Sequence, residues 1–522
     1  MYKDLVAFLR DDTTFVVTVE IVPTRGAIKK DVGEIIELAQ CCIDDGRIHA
    51  LSLTDNPGGN PRLSPDILGL DIKYRGLDVI IHLACKDYNR NGIESRAYQL
   101  SRLGLENILA LTGDFPVEGY GGLPKPAFDI DSVMLLKMLG EMNEGLRVPG
   151  RKPGEWTSLE RTNFIVGACV SPFKKLESEL MNQYWKLVNK VRMGAQFIIT
   201  QVGYDARKFD ELLRFMADNK LRLPVLGNVY VLTRVVAGIM HKGELPGCVV
   251  NDDLLADFER NAKLPDKGKQ ARLDLAAKQV AVLRGLGYKG AHIGGYGLKY
   301  EHLKYILDRA DELFGDWQAH VKDVSFGIPG GCYLYEKDET TGLNTDEAPS
   351  RCPRPRAPVS YKFMKRIHGS FFEQGRLGFR WAQRVCRYID ERPSLARCFY
   401  RFESVMKDIT HRCRECGDCA LPEMAFLCPE SQCGKYLRNG QCGGSRDGMC
   451  EVWPDRPCVW VRIYDCLKSH GAELEIRDRT PVARDWKLDR TSSWINYYLG
   501  RDHAHVPPPP ARGRRAPEQP PR

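Results

Sequence analysis

Eight short, apolar, β-branched runs punctuate residues 15–297, and each is followed by a polar turn and then a stretch of helical period. The runs are FVVTVEIVP, HALSLTDNP, DVIIHLACK, NILALTGD, NFIVGACVSP, FIITQVGYD, PVLGNVYV and GAHIGGYG. Between them lie segments such as DVGEIIELAQCCIDD, ESRAYQLSRLGL, LMNQYWKLVNKVRMG and KQARLDLAAKQVAVLRGLG. Their apolar residues fall three and four apart, which gives a helix one apolar face. Strands that alternate with helices build parallel sheets, and eight such units over roughly 300 residues have the rhythm of a closed (β/α)8 TIM barrel. An open, doubly wound sheet is the alternative. Against its dinucleotide-binding form, the first strand-to-helix turn carries no GxGxxG.

The rest of the 522-residue chain has a different texture. With the barrel assigned to 1–315, residues 316–400 read as a possible strand region (VKDVSFGIPGGCYLYEK), a Pro-rich linker and a helical segment rich in aromatics and Arg. Residues 401–500 form a small cysteine-rich domain, and the Pro/Arg tail 501–522 is expected to be extended and disordered. Hydrophobic content of 43% with 28% charged residues suits a folded, soluble protein. The net charge of +8 is diffuse, apart from five Arg against two acids in the last 22 residues. That argues against a nucleic-acid partner, which wants a concentrated basic face, and suits an acidic small substrate. No run of 18 apolar residues occurs, so no membrane span is expected, and the N-terminus lacks the apolar stretch of an export signal. A cytoplasmic location with reduced thiols follows as the expectation.

Of 18 Cys, seven are scattered through 1–352 and eleven crowd into 386–466. From Cys413 the pattern is Cx2Cx2Cx8Cx4Cx8Cx7Cx7Cx7C. Two-residue gaps let several thiolates turn toward one ion or cluster. Cys413, Cys416, Cys419, Cys428, Cys433, Cys442, Cys450 and Cys458 can supply two four-ligand metal sites, leaving Cys466 over. Disulfides are the alternative in an oxidising compartment, and a purely structural zinc staple is the plainer form of the metal reading.

A barrel of this type carries its chemistry at the C-terminal strand ends. There the sequence places Glu20, Thr54 with Asp55, His82, Thr112-Gly113-Asp114, Gln201, Asn228 and His292. A carboxylate ending an apolar strand is costly unless solvated or paired, so Glu20 and Asp114 read as site groups or as a buried ion pair at the mouth. His82 and His292 read first as hydrogen-bonded core residues and only second as catalysts. The amides of Gln201 and Asn228 suit the edge of a heterocycle.

The blocks VEIVPTRG, HLACKDYNRNGIES, LGLENILALTGD, GAQFIITQVGYD and GAHIGGYG, in that order over roughly residues 15–310, resemble the methylenetetrahydrofolate reductase family. The resemblance implies a flavin, normally FAD, across the top of the barrel, and reduction of 5,10-methylenetetrahydrofolate to 5-methyltetrahydrofolate. It implies Glu20 as the general acid, with a pKa raised by its apolar surroundings, and Asp114 beside the flavin's pyrimidine edge. It also implies Thr54, His82, Thr112, Gly113 and Ala168 along the flavin, with Arg90 and Asn91 near it. Gln201 would hold the pterin, with Tyr204, Asn228 and His292 on the substrate side. TQVGYD stands where many members carry an aromatic-rich segment, and CVSPFK where the adenine side is usually met. FMN beside FAD, and an electron-transfer protein beside NAD(P)H, are therefore both readings.

The stretch from CGDCALPEMAFLCPESQCGK through CGGSRDGMCEVWPDRPCVWVRIYDCLK resembles the small partner subunit of such reductases in acetogens and the domain fused to them in some bacteria. That implies Zn, [4Fe–4S] or both. Three functions compete: a flavin reductase with a structural metal domain, a reductase whose Cys domain passes electrons to the flavin, and a scaffold that has lost catalysis. Survival of Glu20, Asp114 and Gln201 speaks against the third. The family's habit of self-association implies a homo-oligomer.

Overall fold

The computed structural model describes residues 4–152, 154–349, 355 and 358–505. Eight parallel strands close into a barrel: β1 (Val16–Ile21), β2 (Ala50–Leu53), β3 (Asp78–Ala84), β4 (Asn107–Leu111), β5 (Ile165–Val170), β6 (Phe197–Thr200), β7 (Val225–Tyr230) and β8 (Gly290–Gly294). Each pairs with its neighbours in chain order, and β8 closes on β1 with Thr18 opposite His292. All eight sequence runs are strands, which excludes the open sheet.

Side chains alternate between the barrel interior and the surrounding helices. Inside, the lower half is filled by Val16, Ala50, Ile80, Leu109, Phe197, Ile199 and Leu226. Leu5 and Leu9 of a helix preceding β1 plug it from below. Polar residues occupy the upper half of the same interior columns: Thr18 and Glu20 above Val16, Ser52 above Ala50, His82 above Ile80, Asn228 above Leu226. The apolar fill therefore stops partway up, and the space above it is the site.

Helices begin where the sequence supplies caps. Asp131 accepts from Val133 N and Met134 N, Asn89 from Gly92 N and Asn251 from Leu254 N, each satisfying a backbone donor that the first turn leaves free. Two short antiparallel strands, Arg147–Pro149 and Trp156–Ser158, form a hairpin outside the barrel.

The segment VKDVSFGIPGGCYLYEK is not a strand. Its start belongs to the 3-10 helix Trp317–Val324, and the rest is irregular, strapped along the helix Ala206–Asp218. Arg207 Nε donates to Asn344 Oδ1 at 2.8 Å, and Asn344 Nδ2 to Asp210 Oδ2 at 2.8 Å. Part of the Pro-rich stretch, 350–354 and 356–357, lies outside the described residues, as do 506–522 of the tail. Three helices follow, Val359–Phe371, Leu377–Asp390 and Pro393–His411. The cysteine-rich module comes next, with few helical turns and one longer helix, Val459–Lys468.

The module is not a pendant. Its apolar residues Met424, Leu437, Trp460, Ile463 and Tyr464 belong to one continuous core with Leu180, Tyr184 and Leu187 of the barrel helix Glu177–Arg192. That helix is buried almost all round, polar residues included: Asn182, Gln183, Lys186, Asn189 and Lys190 are all under a tenth exposed. Asn182 Nδ2 donates to Trp460 O at 3.0 Å, and Gln183 Nε2 to Cys442 O at 2.8 Å. The module thus spends its backbone acceptors on the polar face of a barrel helix.

Candidate active site

Above the apolar fill lies a cavity of about 280 Å³, walled by strand ends on one side and by the module on the other. The barrel contributes Glu20, Thr54, His82, Thr112, Gly113, Asp114, Gln201, Asn228 and His292, nine of the residues singled out in the sequence. They arrive from all the strands except β5, because inward-pointing positions at strand tops converge on the barrel axis.

Glu20 keeps about a quarter of its side chain exposed, and its Oε2 stands 3.6 Å from His292 Nε2. The other ring nitrogen, His292 Nδ1, meets Thr18 Oγ1 at 2.8 Å, which fixes the ring plane. Burial pushes the Glu20 carboxyl up, but the side-chain hydrogen bond with His292 and the nearby imidazoles outweigh it, so the carboxyl sits below its ordinary value. The expectation of a raised pKa is not met, because the sequence did not place two imidazoles around the carboxylate. His82 bonds Ser52 Oγ at 2.8 Å, and burial lowers it to about 4, so it is a neutral ring at physiological pH.

Asp114 is fixed by Gly58, whose backbone N–H donates to Oδ2 at 2.8 Å. The turn that carries it needs Gly113 at φ +89°, where a Cβ would also fall 2.8 Å from the Lys86 side chain. Behind this corner Arg96 bridges Asp55 and Asp66 at 2.7 Å each, all three buried, so the charge of Asp55, which lines the cavity, is already paired.

Four anticipated residues lie elsewhere. Ala168 is on β5 but points outward into the core between strand and helices; its neighbour Cys169 lines the cavity. Arg90 is held by Asp129 (2.8 and 2.9 Å) and donates to the carbonyl of Arg484 in the module, so it joins the two halves. Asn91 is exposed on the first turn of a helix. Tyr204 packs with Val202, Leu232, Met240 and Phe258 outside the barrel, its hydroxyl donating to Tyr230 O at 2.7 Å.

The module supplies what the barrel sequence could not announce. Lys435, Gln441, Cys442, Gly443, Gly444 and Glu451 form the roof. Lys435 is ion-paired with Glu451, each side chain 4% exposed, and its Nζ donates to Gly113 O at 2.8 Å, next to Asp114. Cys442 points its thiol at Glu451 Oε2, 3.4 Å away. A Cβ on Gly444 would collide with Glu451 Oε2 at 1.4 Å, so only glycine lets the roof pass there. Lys186 and Lys190 complete the wall; Lys190 donates to Cys169 O at 2.6 Å, and burial together with the Lys186 charge lowers it to about 8. The only signal for these groups was chemical: lysines on an otherwise core-like helix, and a Lys among cysteines.

Three buried polar atoms on the wall, Asn228 Oδ1, Ser171 Oγ and Gln441 Oε1, have no hydrogen-bond partner among the described residues. Native proteins rarely strand such atoms, so their convergence on one cavity fits a polar heterocycle, such as a flavin or pterin ring, between them.

The module's thiols gather in two neighbourhoods. Cys413, Cys416, Cys419 and Cys428 lie within electrostatic reach of one another, and so do Cys433, Cys442, Cys450 and Cys458. Among the described residues no three Cys, His, Asp or Glu side chains are drawn together tightly enough to hold an ion as they stand. No described helix is long and apolar enough to cross a membrane.

Comparisons with known proteins agree with this architecture. A probable methylenetetrahydrofolate reductase (NADPH) of Caenorhabditis elegans is 26% identical over 166 residues, 32% of this chain and 22% of its own length. Methylenetetrahydrofolate reductase 2 of Schizosaccharomyces pombe is 25% identical over 198 residues, 37% of this chain and 29% of its own. The matches thus span less than a third of these curated relatives. A solved structure of an uncharacterized Clostridium thermocellum protein, described as binding two copies of 5-methyl-5,6,7,8-tetrahydrofolic acid, superposes at TM-score 0.40 with 14% identity, covering 60% of this chain and 99% of that one. At that score the likeness carries no weight here. The family model for the methylene-tetrahydrofolate reductase C terminal matches residues 392–487. The model for methylenetetrahydrofolate reductase matches residues 8–310, more than half of the chain, and the protein belongs to that family.

Proposed function

We propose that this chain reduces 5,10-methylenetetrahydrofolate to 5-methyltetrahydrofolate with a bound flavin, FAD or FMN. The observation that carries the reading is the roofed cavity in which Glu20, Asp114, Gln201, Asn228 and His292 converge around three unpartnered buried polar atoms. A flavin bound there would supply the hydride. The chain's own residues position and protonate. Gln201 and the free Asn228 Oδ1 offer an acceptor and donors to a pterin edge. Asp114, held by Gly58 N, places a negative charge where a cationic one-carbon group would develop.

The proton needed at the folate nitrogen is best assigned to the Glu20–His292 pair rather than to Glu20 alone. A carboxylate stabilised by an imidazole 3.6 Å away is a poor acid by itself, but the two groups can hold one proton between them. Thr18 keeps the far nitrogen of His292 engaged, so the shared proton faces the cavity.

The test is Glu20→Gln in the full chain. Flavin content, read from the visible spectrum, should stay at the parent level, while folate reduction drops by about 10²–10⁴-fold. His292→Gln should shift the acid limb of the pH–rate profile. Turnover equal to the parent in the Glu20 variant would remove it from the mechanism.

A second reading, in which electrons reach the flavin through the module, is favoured by one observation: Cys442 belongs both to a thiol neighbourhood and to the cavity wall. Two four-thiolate sites, holding Zn or [4Fe–4S], fit the donor chemistry of Cys413, Cys416, Cys419 and Cys428 and of Cys433, Cys442, Cys450 and Cys458. Broad thiolate-to-iron absorption beneath the flavin bands would support it. Flavin bands alone, with stoichiometric zinc, would leave the module structural and NAD(P)H as the donor.

A further inference from the structure

The three helices between barrel and module carry a face that no described residue covers. Helix Pro393–His411 buries Glu403 and Lys407 inward and leaves Leu395, Phe402, Val405 and Ile409 between 43% and 77% exposed, with Cys398 also outside. Residues 395, 398, 402, 405 and 409 step by three and four, the repeat of a helical seam that expects a partner. Its neighbour, helix Leu377–Asp390, adds Leu377, Trp381 and Tyr388 at 83%, 62% and 55% exposure, four and seven residues apart and so on one side. Isolated exposed apolar residues mean little, but a continuous set on two adjacent helices marks an interaction surface.

The charge around it states what the partner is. Residues 359–411 contain eleven Lys and Arg against five Asp and Glu, a net +6 out of +8 for the protein. Arg380, Arg384, Arg387, Arg397 and Arg401 are exposed, and among the described residues none has a carboxylate within ion-pair distance, whereas Arg376, Arg392 and Lys407 are paired locally. Two copies of so basic a face would repel across a twofold axis, so an acidic partner fits and a second copy of this chain does not.

Location narrows the partner further. The helix ends at His411, two residues before Cys413, and its buried side sets Lys407 Nζ 3.7 Å from Cys419 Sγ. Only one helix width, about 10 Å, separates the exposed seam from the first thiol neighbourhood.

From these observations we infer that the outer face of helices Leu377–Asp390 and Pro393–His411 docks an acidic one-electron carrier protein with an apolar contact centre. This rests on the reading of the module as an electron path. Two reduced carriers, each giving up one electron, would supply the pair that, with two protons from solvent, reduces one flavin.

The experiment uses the full chain with its flavin and metals, and a chemically reduced, acidic low-potential ferredoxin as the probe. Flavin bleaching is followed by stopped flow at low and high salt. For the parent we expect bleaching that slows steeply with salt. The triple variant Arg384→Glu, Arg397→Glu, Arg401→Glu, whose sites are all on the surface, should bleach about tenfold slower or worse and lose most of the salt dependence. Phe402→Ser should slow it at every salt concentration. Reduction of the same flavin by 5-methyltetrahydrofolate should be equal in parent and variants; its failure in the parent would sink the reductase reading itself, separately from the docking face. Parent and charge-reversal variant bleaching alike, no bleaching of the parent by the ferredoxin, or a parent dimer that Phe402→Ser dissociates would each overturn the docking proposal.

Discussion

Lys435 and Glu451 sit in the roof of the cavity with 4% of each side chain exposed, and Lys435 also donates to Gly113 O. Replacing Lys435 with Met leaves Glu451 charged in a dry setting with only the Cys442 thiol to meet it. An uncompensated buried charge costs about 3–5 kcal/mol. Glu451→Leu strands the lysine in the same way and should cost a similar amount. The double variant removes both charges and should return to within about 1–2 kcal/mol of the parent, since well-packed apolar groups replace buried ion pairs at little net cost. The coupling between the sites is then about 4 kcal/mol or more. For one cooperative unit of 522 residues, an unfolding entropy of about 2.1 cal/mol/K per residue means about 1 °C lost per kcal/mol, so each single variant should melt about 3–5 °C lower. Calorimetry of parent, both singles and the double closes the cycle. Destabilisations that simply add would show that the two groups do not meet, and that the roof is assembled otherwise.

Further outcomes follow from other parts of the molecule. Cys413→Ser with Cys416→Ser should lower bound metal by one site per chain in elemental analysis, with flavin content unchanged; unaltered metal would refute the first thiol set as ligands. Gly444→Ala pushes a methyl group into Glu451 and should reduce flavin retention on gel filtration, whereas Gly443→Ala, with nothing within 4 Å, should not. His503 is buried, which opposes its charge, but hydrogen bonds to Asp418 (2.5 Å) and Glu423 (2.9 Å) raise it to about 9. A raised value in the folded state means that this stabilisation is complete below the ordinary 6.5 and fades as pH climbs to about 9. The parent should therefore lose thermal stability across that window, and His503→Gln should be flatter there; parallel pH curves would refute the assignment.

The barrel was legible because a short apolar, β-branched run bounded by turn residues is a local signal, repeated eight times. Glu20, Asp114, Gln201, Asn228 and His292 were legible for a related reason, since a polar residue at the top of an apolar strand has few other uses. Parity within a strand was not: Ala168 and Cys169 differ by one position, and only the closed register decides which of them faces inward. Tyr204 and Arg90 were misplaced because motif neighbours need not share a cavity once the chain has turned. The aromatic, Gly-rich segment after Trp317 had the composition of a strand but no edge to join, and it became a strap. Lys435 and Glu451 could not be placed at all, because their role depends on a contact with Gly113 across 322 positions of sequence.

Helix Glu177–Arg192 has almost no side left for water. Any shortened version of the protein that stops before the cysteine-rich half would bare Lys186, Gln183 and Asn182 together with Leu180 and Tyr184, a mixed surface poorly suited either to solvent or to another core. Expression of the barrel alone should therefore give aggregated or proteolysed material, and engineering of the protein has to treat both halves as one object. The same arrangement makes the cysteine-rich half one wall of the cavity, through Lys435, Gly444 and Glu451.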